Sequence, residues 1–237
     1  GFSTGFENLP DVPKRIWVHA LSVGEVISSI PLVDAIREQY PMLDIVFTAS
    51  TKTGYDTARD RFFSKEPARV DYLGYFPFDV PCSVNRVYRM IQPDSVIIVE
   101  TDLWPGFLHK MKNEAVPVVL VNARLSERSL NGYLKFKRFS ALFFSTLTEI
   151  MVQSDMDKQR YTALGIDEKK INVTGNIKFD QPVPRTEDAD PARLKDLLSI
   201  PDGSKVIIGG STHDGEEKIL FSVFMKLKEK FPDMILV

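Results

Sequence analysis

The feature that most constrains this chain is a set of short, near-continuously apolar runs: RIWVHA (15–20), DIVFTA (44–49), VDYLGYF (70–76), SVIIVE (95–100), VPVVLVN (116–122), EIMVQS (149–154) and INVTG (171–175). A strand with one face in water alternates apolar and polar residues; a strand covered on both faces does not. Segments of helical periodicity separate the runs. Together they predict an α/β fold with a Rossmann-like parallel sheet covered by helices on both faces. The helices carry ordinary punctuation: Ser50 and Thr51 precede one, Pro93 stops another, and Gly165 closes RYTALG as a left-handed C-cap.

The rhythm breaks at KFDQPVPRTEDADPARL (178–194), where prolines and charges predict an interdomain linker. It restarts with a short helix, the strand KVIIGGS, the helix DGEEKILFSVFMKLKEKF and a final apolar run, MILV. The expected organisation is a first Rossmann-like domain over 1–177, a linker over 178–191 and the beginning of a second Rossmann-like domain over 192–237. The last part has too few strands for a sheet of its own and reads as the first βαβ unit of a larger domain.

Composition narrows the partners. A chain of 237 residues, 43% hydrophobic, can bury a full core. Its 30 basic residues against 32 acidic ones leave a net charge of -2, so bulk electrostatics recruits neither nucleic acid nor a membrane. The single cysteine, Cys82, excludes an intrachain disulfide framework and fits a reducing compartment. Following Pro81, it is expected to be a buried helix-start residue rather than a nucleophile. No run approaches the roughly 18 apolar residues that span a bilayer, and no signal-peptide pattern opens the chain. Any membrane anchor is expected upstream of Gly1.

In open parallel sheets, ligands gather at the carboxyl ends of the strands. The loops HALSVGE, TASTKTG, VETDLWPG, VNARLSERS, VQSDMD and GGSTHDGEE all follow predicted strands and would line one rim. Each residue has a structural reading beside a functional one. Glu25 complements the positive end of a helix or supplies a reactive carboxylate. Ser22 and Gly24 are a cap and turn or a point of close ligand approach. Glu100 and Asp102 cap the helix opened by Pro105; Arg124 and Arg128 are solvated surface; Trp104 belongs to the core. Ser211, Thr212 and His213 mark a strand-to-helix turn whose N–H groups suit an anion, and His213 equally suits a supporting hydrogen bond. Lys178 is either a solvated linker residue or a phosphate ligand. His19 and His109 read as structural. Neither G-x-G-x-x-G nor G-x-x-x-x-G-K-[ST] occurs, which argues against dinucleotide dehydrogenases and P-loop enzymes. In YLKFKRFSALFFSTL (133–147), Lys135, Lys137 and Arg138 interleave with Phe136, Phe139, Phe143 and Phe144. That segment is either a buried helix with a cationic first turn or a surface for anionic lipid and acyl chains.

Taken together, WVHALSVGE, ETDLWP, NARLSERS, QSDMDKQRYTALG, VTGNIKFD and GSTHDGEE resemble, in order and approximate spacing from about Arg15 onward, the bacterial 3-deoxy-D-manno-octulosonic acid (Kdo) transferases. The resemblance implies a GT-B glycosyltransferase of lipopolysaccharide biosynthesis: inverting, metal-independent and without a cofactor. It moves Kdo from CMP-Kdo to a lipid A precursor, lipid IVA, as a peripheral enzyme on the cytoplasmic face of a Gram-negative inner membrane. Such enzymes hold the acceptor mainly on the first domain and the nucleotide sugar mainly on the second. The motif's acid, here Glu25, is the general base, and Glu100 falls to acceptor orientation. Ser22, Gly24, Arg124, Lys178, Ser211, Thr212 and His213 fall to substrate binding, and Lys135, Phe136, Lys137, Arg138 and Phe139 to the membrane or acceptor surface. Family members usually open with an apolar anchor and continue well past position 237, so the chain is expected to be a fragment, inactive alone. The rival readings are another GT-B enzyme using a UDP-sugar, of the lipid A disaccharide synthase or nucleotide-sugar epimerase type, and a noncatalytic Rossmann-like binding module.

Overall fold

The computed structural model describes Leu9 and residues 14–64, 67–100, 103–181 and 191–237. The chain divides into two compact units, Gly1–Pro182 and Val183–Val237. The described part of the first contains β1 (Arg15–Ala20), β2 (Asp44–Ala49), β3 (Tyr72–Tyr75), β4 (Ser95–Val99), β5 (Val118–Ala123), β6 (Glu149–Val152) and β7 (Ile171–Val173). Between them lie α1 (Val23–Ser28), α2 (Ile30–Gln39), α3 (Lys52–Ala58), α4 (Pro81–Ile91), α5 (Pro105–Asn113), α6 (Glu127–Lys135), α7 (Lys137–Phe144) and α8 (Asp155–Ala163). The strands pair in the order β3-β2-β1-β4-β5-β6-β7, every pair parallel. Each apolar run of the sequence supplies one strand.

Alternate residues of a strand point to opposite faces, and both faces here are dry. Trp17 joins a core with Val84, Val87 and Ile91 of α4, Phe107 and Met111 of α5 and Tyr161 of α8. Its neighbours Ile16, Val18 and Ala20 join the other core, with Val26 of α1, Val33 of α2 and Ala58 of α3. That is why these runs do not alternate. His19 is structural as expected: it is fully buried, stacks on Phe76 at 3.9 Å, and its Nδ1 lies 3.1 Å from the Thr48 carbonyl.

The caps follow local chemistry. Thr51 Oγ1 accepts the Gly54 N–H at 3.0 Å, and Gly165 follows α8 with φ 89°. At the amino edge of the sheet the buried Arg15 donates to Asp44 Oδ2 at 2.9 Å and to the Ile91 carbonyl at 2.7 Å, while its N–H meets Asp94 at 2.7 Å. These bonds, two from the guanidinium and one from the backbone, tie β2, α4 and the approach to β4 to one residue.

Several expectations are corrected. Cys82 is exposed, because the second position of α4 faces away from the stripe Val84, Val87 and Ile91 that the sheet covers. Trp104 is the exposed N-cap residue of α5, not core. His109 is not among these: it lies on α5, the helix after Trp104, as expected, exposed and with Asn113 Nδ2 3.0 Å from its Nε2. Residues 178–181, expected to begin the linker, pack on the first unit: Ile177–Asp180 is a 3-10 turn, and Gln181 Nε2 donates to the Ile27 carbonyl at 2.7 Å. Asp102 and residues 182–190 lie outside the described residues.

The second unit contains α9 (Pro191–Leu197), β8 (Val206–Ile207), α10 (Glu216–Lys228) and β9 (Ile235–Leu236), with β8 and β9 parallel.

Candidate active site

From β1 the chain builds β2 and β3 on one side, then returns to lay β4 on the other. The loops leaving β1 and β4 diverge, and the crevice between them at the carboxyl ends is the place where open α/β sheets bind ligands. Glu25 and Glu100 follow these two adjacent strands, so they share the rim.

Glu25 is the third residue of α1 and is buried. Ser22 is the N-cap, but its hydroxyl caps nothing. Instead Glu25 Oε2 accepts the Leu21 N–H at 2.6 Å, reaching back across the first turn. This short, charge-assisted bond fixes the orientation of the carboxylate. Gly24 is exposed beside it, and a Cβ there would meet nothing within 4 Å. Neither backbone conformation nor packing demands glycine at that point.

Glu100 stands immediately after β4 with φ 66°, a left-handed conformation that costs an ordinary residue roughly 1–2 kcal/mol. Its N–H bonds the Val121 carbonyl at 2.8 Å. Its Oε1 receives Lys178 Nζ at 3.4 Å and Asn122 Nδ2 at 3.4 Å. Lys178 is therefore not a linker lysine; the 3-10 turn brings it onto Glu100. Arg124 and Arg128 are exposed beyond β5.

The helices opening on this rim are capped by the unit's own side chains. Asp79 accepts the N–H groups of Gly106 and Phe107 at 2.9 and 2.6 Å. Ser154 and Asp157 close the start of α8, and Asp157 also accepts the Leu125 N–H at 3.0 Å. Ser126 caps α6 through the Ser129 N–H at 3.1 Å. Among the described residues, no group of three or more His, Cys, Asp or Glu is placed to hold a metal ion.

The segment 133–147 is not one helix. It breaks at Phe136 (φ -123°, ψ 44°) between α6 and α7, and Ser140 Oγ donates to the Tyr133 carbonyl at 2.9 Å across the joint. Phe144 and Tyr133 pack inward at 5.2 Å, Lys135 is exposed, and Phe136 is 71% exposed. Lys137, Arg138 and Phe139 form the first turn of α7. A shallow cleft of about 380 Å³ lies at the joint, lined by Ser129, Gly132, Tyr133, Phe136 and Ser140. Among the described residues, no helix is long and apolar enough to cross a membrane.

In the second unit, α10 starts at Glu216 behind Gly215 (φ 93°), two residues later than the expected start at Asp214. Asp214 and the left-handed Gly215, expected as the first residues of the helix, form a turn ahead of it. The donors meant for an anion are engaged within the unit: the His213 N–H with Glu216 at 2.8 Å and the Thr212 hydroxyl with Glu217 at 2.7 Å. Ser211 takes a left-handed φ of 55° and is exposed.

The family described as 3-deoxy-D-manno-octulosonic-acid transferase (kdotransferase) matches residues 2–181. The chain belongs to that family. A 3-deoxy-D-manno-octulosonic acid transferase of Haemophilus influenzae is 35% identical over 226 residues, 95% of this chain and 51% of the relative. One from Chlamydia trachomatis serovar A is 35% identical over 205 residues, covering 86% and 46%. The chain thus spans about half the length of the curated relatives it matches. Among solved structures, a UDP-GlcNAc 2-epimerase from Neisseria meningitidis aligns with TM-score 0.64 at 16% identity, over 94% of this chain and 64% of that one. A glycosyltransferase from Rickettsia africae aligns with TM-score 0.61 at 12% identity, over 91% and 58%. These likenesses establish the GT-B type of fold.

Within this Kdo transferase family chain, the structure thus brings Ser22, Gly24 and Glu25 into one helical turn and Glu100 and Lys178 into contact. It places Arg124 two residues past Asn122 on the next strand's exit. Sequence reading missed Asn122, which joins the groups around Glu100, and Gln153, whose Nε2 donates to the Asn122 carbonyl at 3.0 Å. The one available signal was residue type: asparagine tolerates left-handed backbone better than other residues with a Cβ.

Proposed function

We propose that this chain is the acceptor-side portion of an enzyme that transfers Kdo from CMP-Kdo to a lipid A precursor such as lipid IVA, at the cytoplasmic surface of a Gram-negative inner membrane. The observation that carries the reading is the Glu25 carboxylate, held by the Leu21 N–H at 2.6 Å on the carboxyl edge of β1, beside the reversal of strand order. Family membership supports the choice of sugar.

In the proposed reaction an acceptor hydroxyl lies against Glu25. As its oxygen bonds to the anomeric carbon of Kdo, the carboxylate takes the hydroxyl proton, and the bond from that carbon to the CMP phosphate breaks with its electron pair leaving on CMP. Attack from the face opposite the leaving group inverts the anomeric centre. Glu100 orients the acceptor, and Lys178 and Arg124 supply positive charge for its phosphates. The open space at Gly24 admits the sugar to the backbone. Thr212 and His213 of the second unit serve the donor phosphate by exchanging their exposed bonds to Glu217 and Glu216 for it, and the exposed Ser211 joins them. The exposed joint at Phe136, with Lys135 before it and Lys137, Arg138 and Phe139 after it, meets acyl chains and anionic headgroups.

The test is nucleotide choice in a chain carrying this sequence at the full length of its relatives. Calorimetric titration should show CMP binding and no comparable UDP binding, and CMP-Kdo should be consumed when lipid IVA is supplied. Binding of UDP alone would move the reading to a UDP-sugar enzyme. Binding of neither nucleotide, with no transfer, would favour a noncatalytic module.

A further inference from the structure

The bonds around Asn122 give a residue outside the proposed catalytic set a specific task. Asn122 is buried, 3% exposed, near the end of β5 with φ 55°. The ladder to β6 slips there: Leu120 pairs with Ile150, but Ala123 pairs with Val152, so three steps along β5 match two along β6. A bulge of this kind re-aims a side chain. The Asn122 amide points across the rim and makes two bonds. Its Oδ1 accepts the Ile177 N–H at 3.2 Å, at the start of the turn that carries Lys178. Because that partner is only a donor, the oxygen must face it, and Nδ2 must face Glu100 Oε1.

One amide therefore links the residue after β4 to the turn that delivers Lys178. Both Asn122 and Lys178 converge on Oε1 of Glu100. The two 3.4 Å contacts are long for hydrogen bonds, as such contacts often are before a substrate tightens them. Two non-glycine residues in left-handed conformation, Glu100 just after β4 and Asn122 near the end of the adjacent β5, are tied by the Glu100 N–H to the Val121 carbonyl. Strain of this kind persists where the surroundings over-determine it, and it gathers at sites that use it.

We propose that Asn122 is a positioning residue: its amide clamps Glu100 and the Lys178 turn together, so that the Glu100 carboxylate meets the acceptor in a single orientation. This rests on the function proposed above for Glu100. Asn122→Asp is the informative variant. It tolerates the left-handed backbone and keeps an acceptor for the Ile177 N–H, but it replaces the donor facing Glu100 with an oxygen that repels it.

In a full-length chain, Asn122→Asp should lower kcat about 100-fold, the scale expected of a misplacement near 1 Å. KM for the acceptor should change by less than about threefold, because contacts made equally in ground and transition states are retained. In a Glu100→Gln background the same substitution should cost less than about threefold, since both changes act through one carboxylate. An equal loss in both backgrounds, or no loss in either, overturns the proposal. A second readout needs no turnover: in the 237-residue chain, the Asn122 side-chain amide resonances should move on Glu100→Gln. If they do not, the clamp is absent and the proposal fails. A wild-type enzyme that transfers no Kdo while these resonances respond counts against the reaction and in favour of the clamp.

Discussion

Glu25 has one carboxylate and two reasons to be acidic. In the first turn of α1 it complements the helix dipole and satisfies the Leu21 N–H at 2.6 Å; in the proposed reaction it takes a proton. Substitution separates the two. Glu25→Gln keeps the size and an oxygen for Leu21 but cannot accept the proton, so kcat should fall by ~10²- to 10⁴-fold with the melting temperature nearly unchanged. Glu25→Ala should lose turnover and also about 1 kcal/mol of stability, as capping losses do. Steady-state transfer in a full-length chain checks both, and near-normal turnover in Glu25→Gln with loss in Glu100→Gln would reassign the base to Glu100. Residue by residue, legibility was uneven. Glu25 could be read because Ser-Val-Gly-Glu marks a strand-to-helix seam by composition alone. Asn122 could be read only faintly, from the tolerance of asparagine for left-handed backbone, because its part also depends on a slipped register that residue type does not fix. The late start of α10 was hidden for a related reason: Gly215 reads equally as part of a glycine-rich anion loop or as a left-handed N-cap.

Elements were legible where period and burial agree. The strands could be found because covering both faces of a parallel sheet leaves no polar alternation, and β1 shows it, with Trp17 in one core and Ile16 and Val18 in the other. The break between α6 and α7 could not be found. The segment from Tyr133 to Leu147 contains neither Gly nor Pro, and the joint depends on Ser140 reaching back to the Tyr133 carbonyl. That joint leaves Phe136 on the surface. If this element meets a bilayer, burying one phenylalanine contributes roughly 1.5–3 kcal/mol. Phe136→Asp should therefore weaken co-sedimentation of the chain with phosphatidylglycerol vesicles by about tenfold or more, without changing its circular dichroism. Unchanged partitioning would remove this surface from the functional reading.

At the scale of the whole molecule, the first unit also carries an alkaline limit. Burial, with smaller contributions from Tyr133 and Asp157, pushes the Tyr161 hydroxyl far above the usual tyrosine range, and burial raises Tyr133 as well. The folded chain holds these protons more tightly than the unfolded chain does. The stability they contribute is therefore complete below about pH 10, the ordinary tyrosine value, and is lost as pH rises beyond it. Tyrosinate absorbance should accordingly rise in two stages, with the last component coinciding with loss of the far-ultraviolet signal. Smooth ionisation of every tyrosine in a chain that stays folded would contradict this.

The sheet's two edges differ in kind. At the amino edge Arg15 holds β2, α4 and the approach to β4 with short bonds; at the carboxyl edge Glu100 and Asn122 sit in strained conformations joined by long ones. Inside a cell, where quality control removes chains that unfold too often, damage to these edges should look different to a geneticist. Lesions around Arg15 would deplete the protein and yield to a chaperone, a lower growth temperature or a second, stabilising change elsewhere. Lesions around Asn122 would leave a normal quantity of defective molecules, able to compete with healthy copies for the proposed acceptor, and no rescue of folding would restore them.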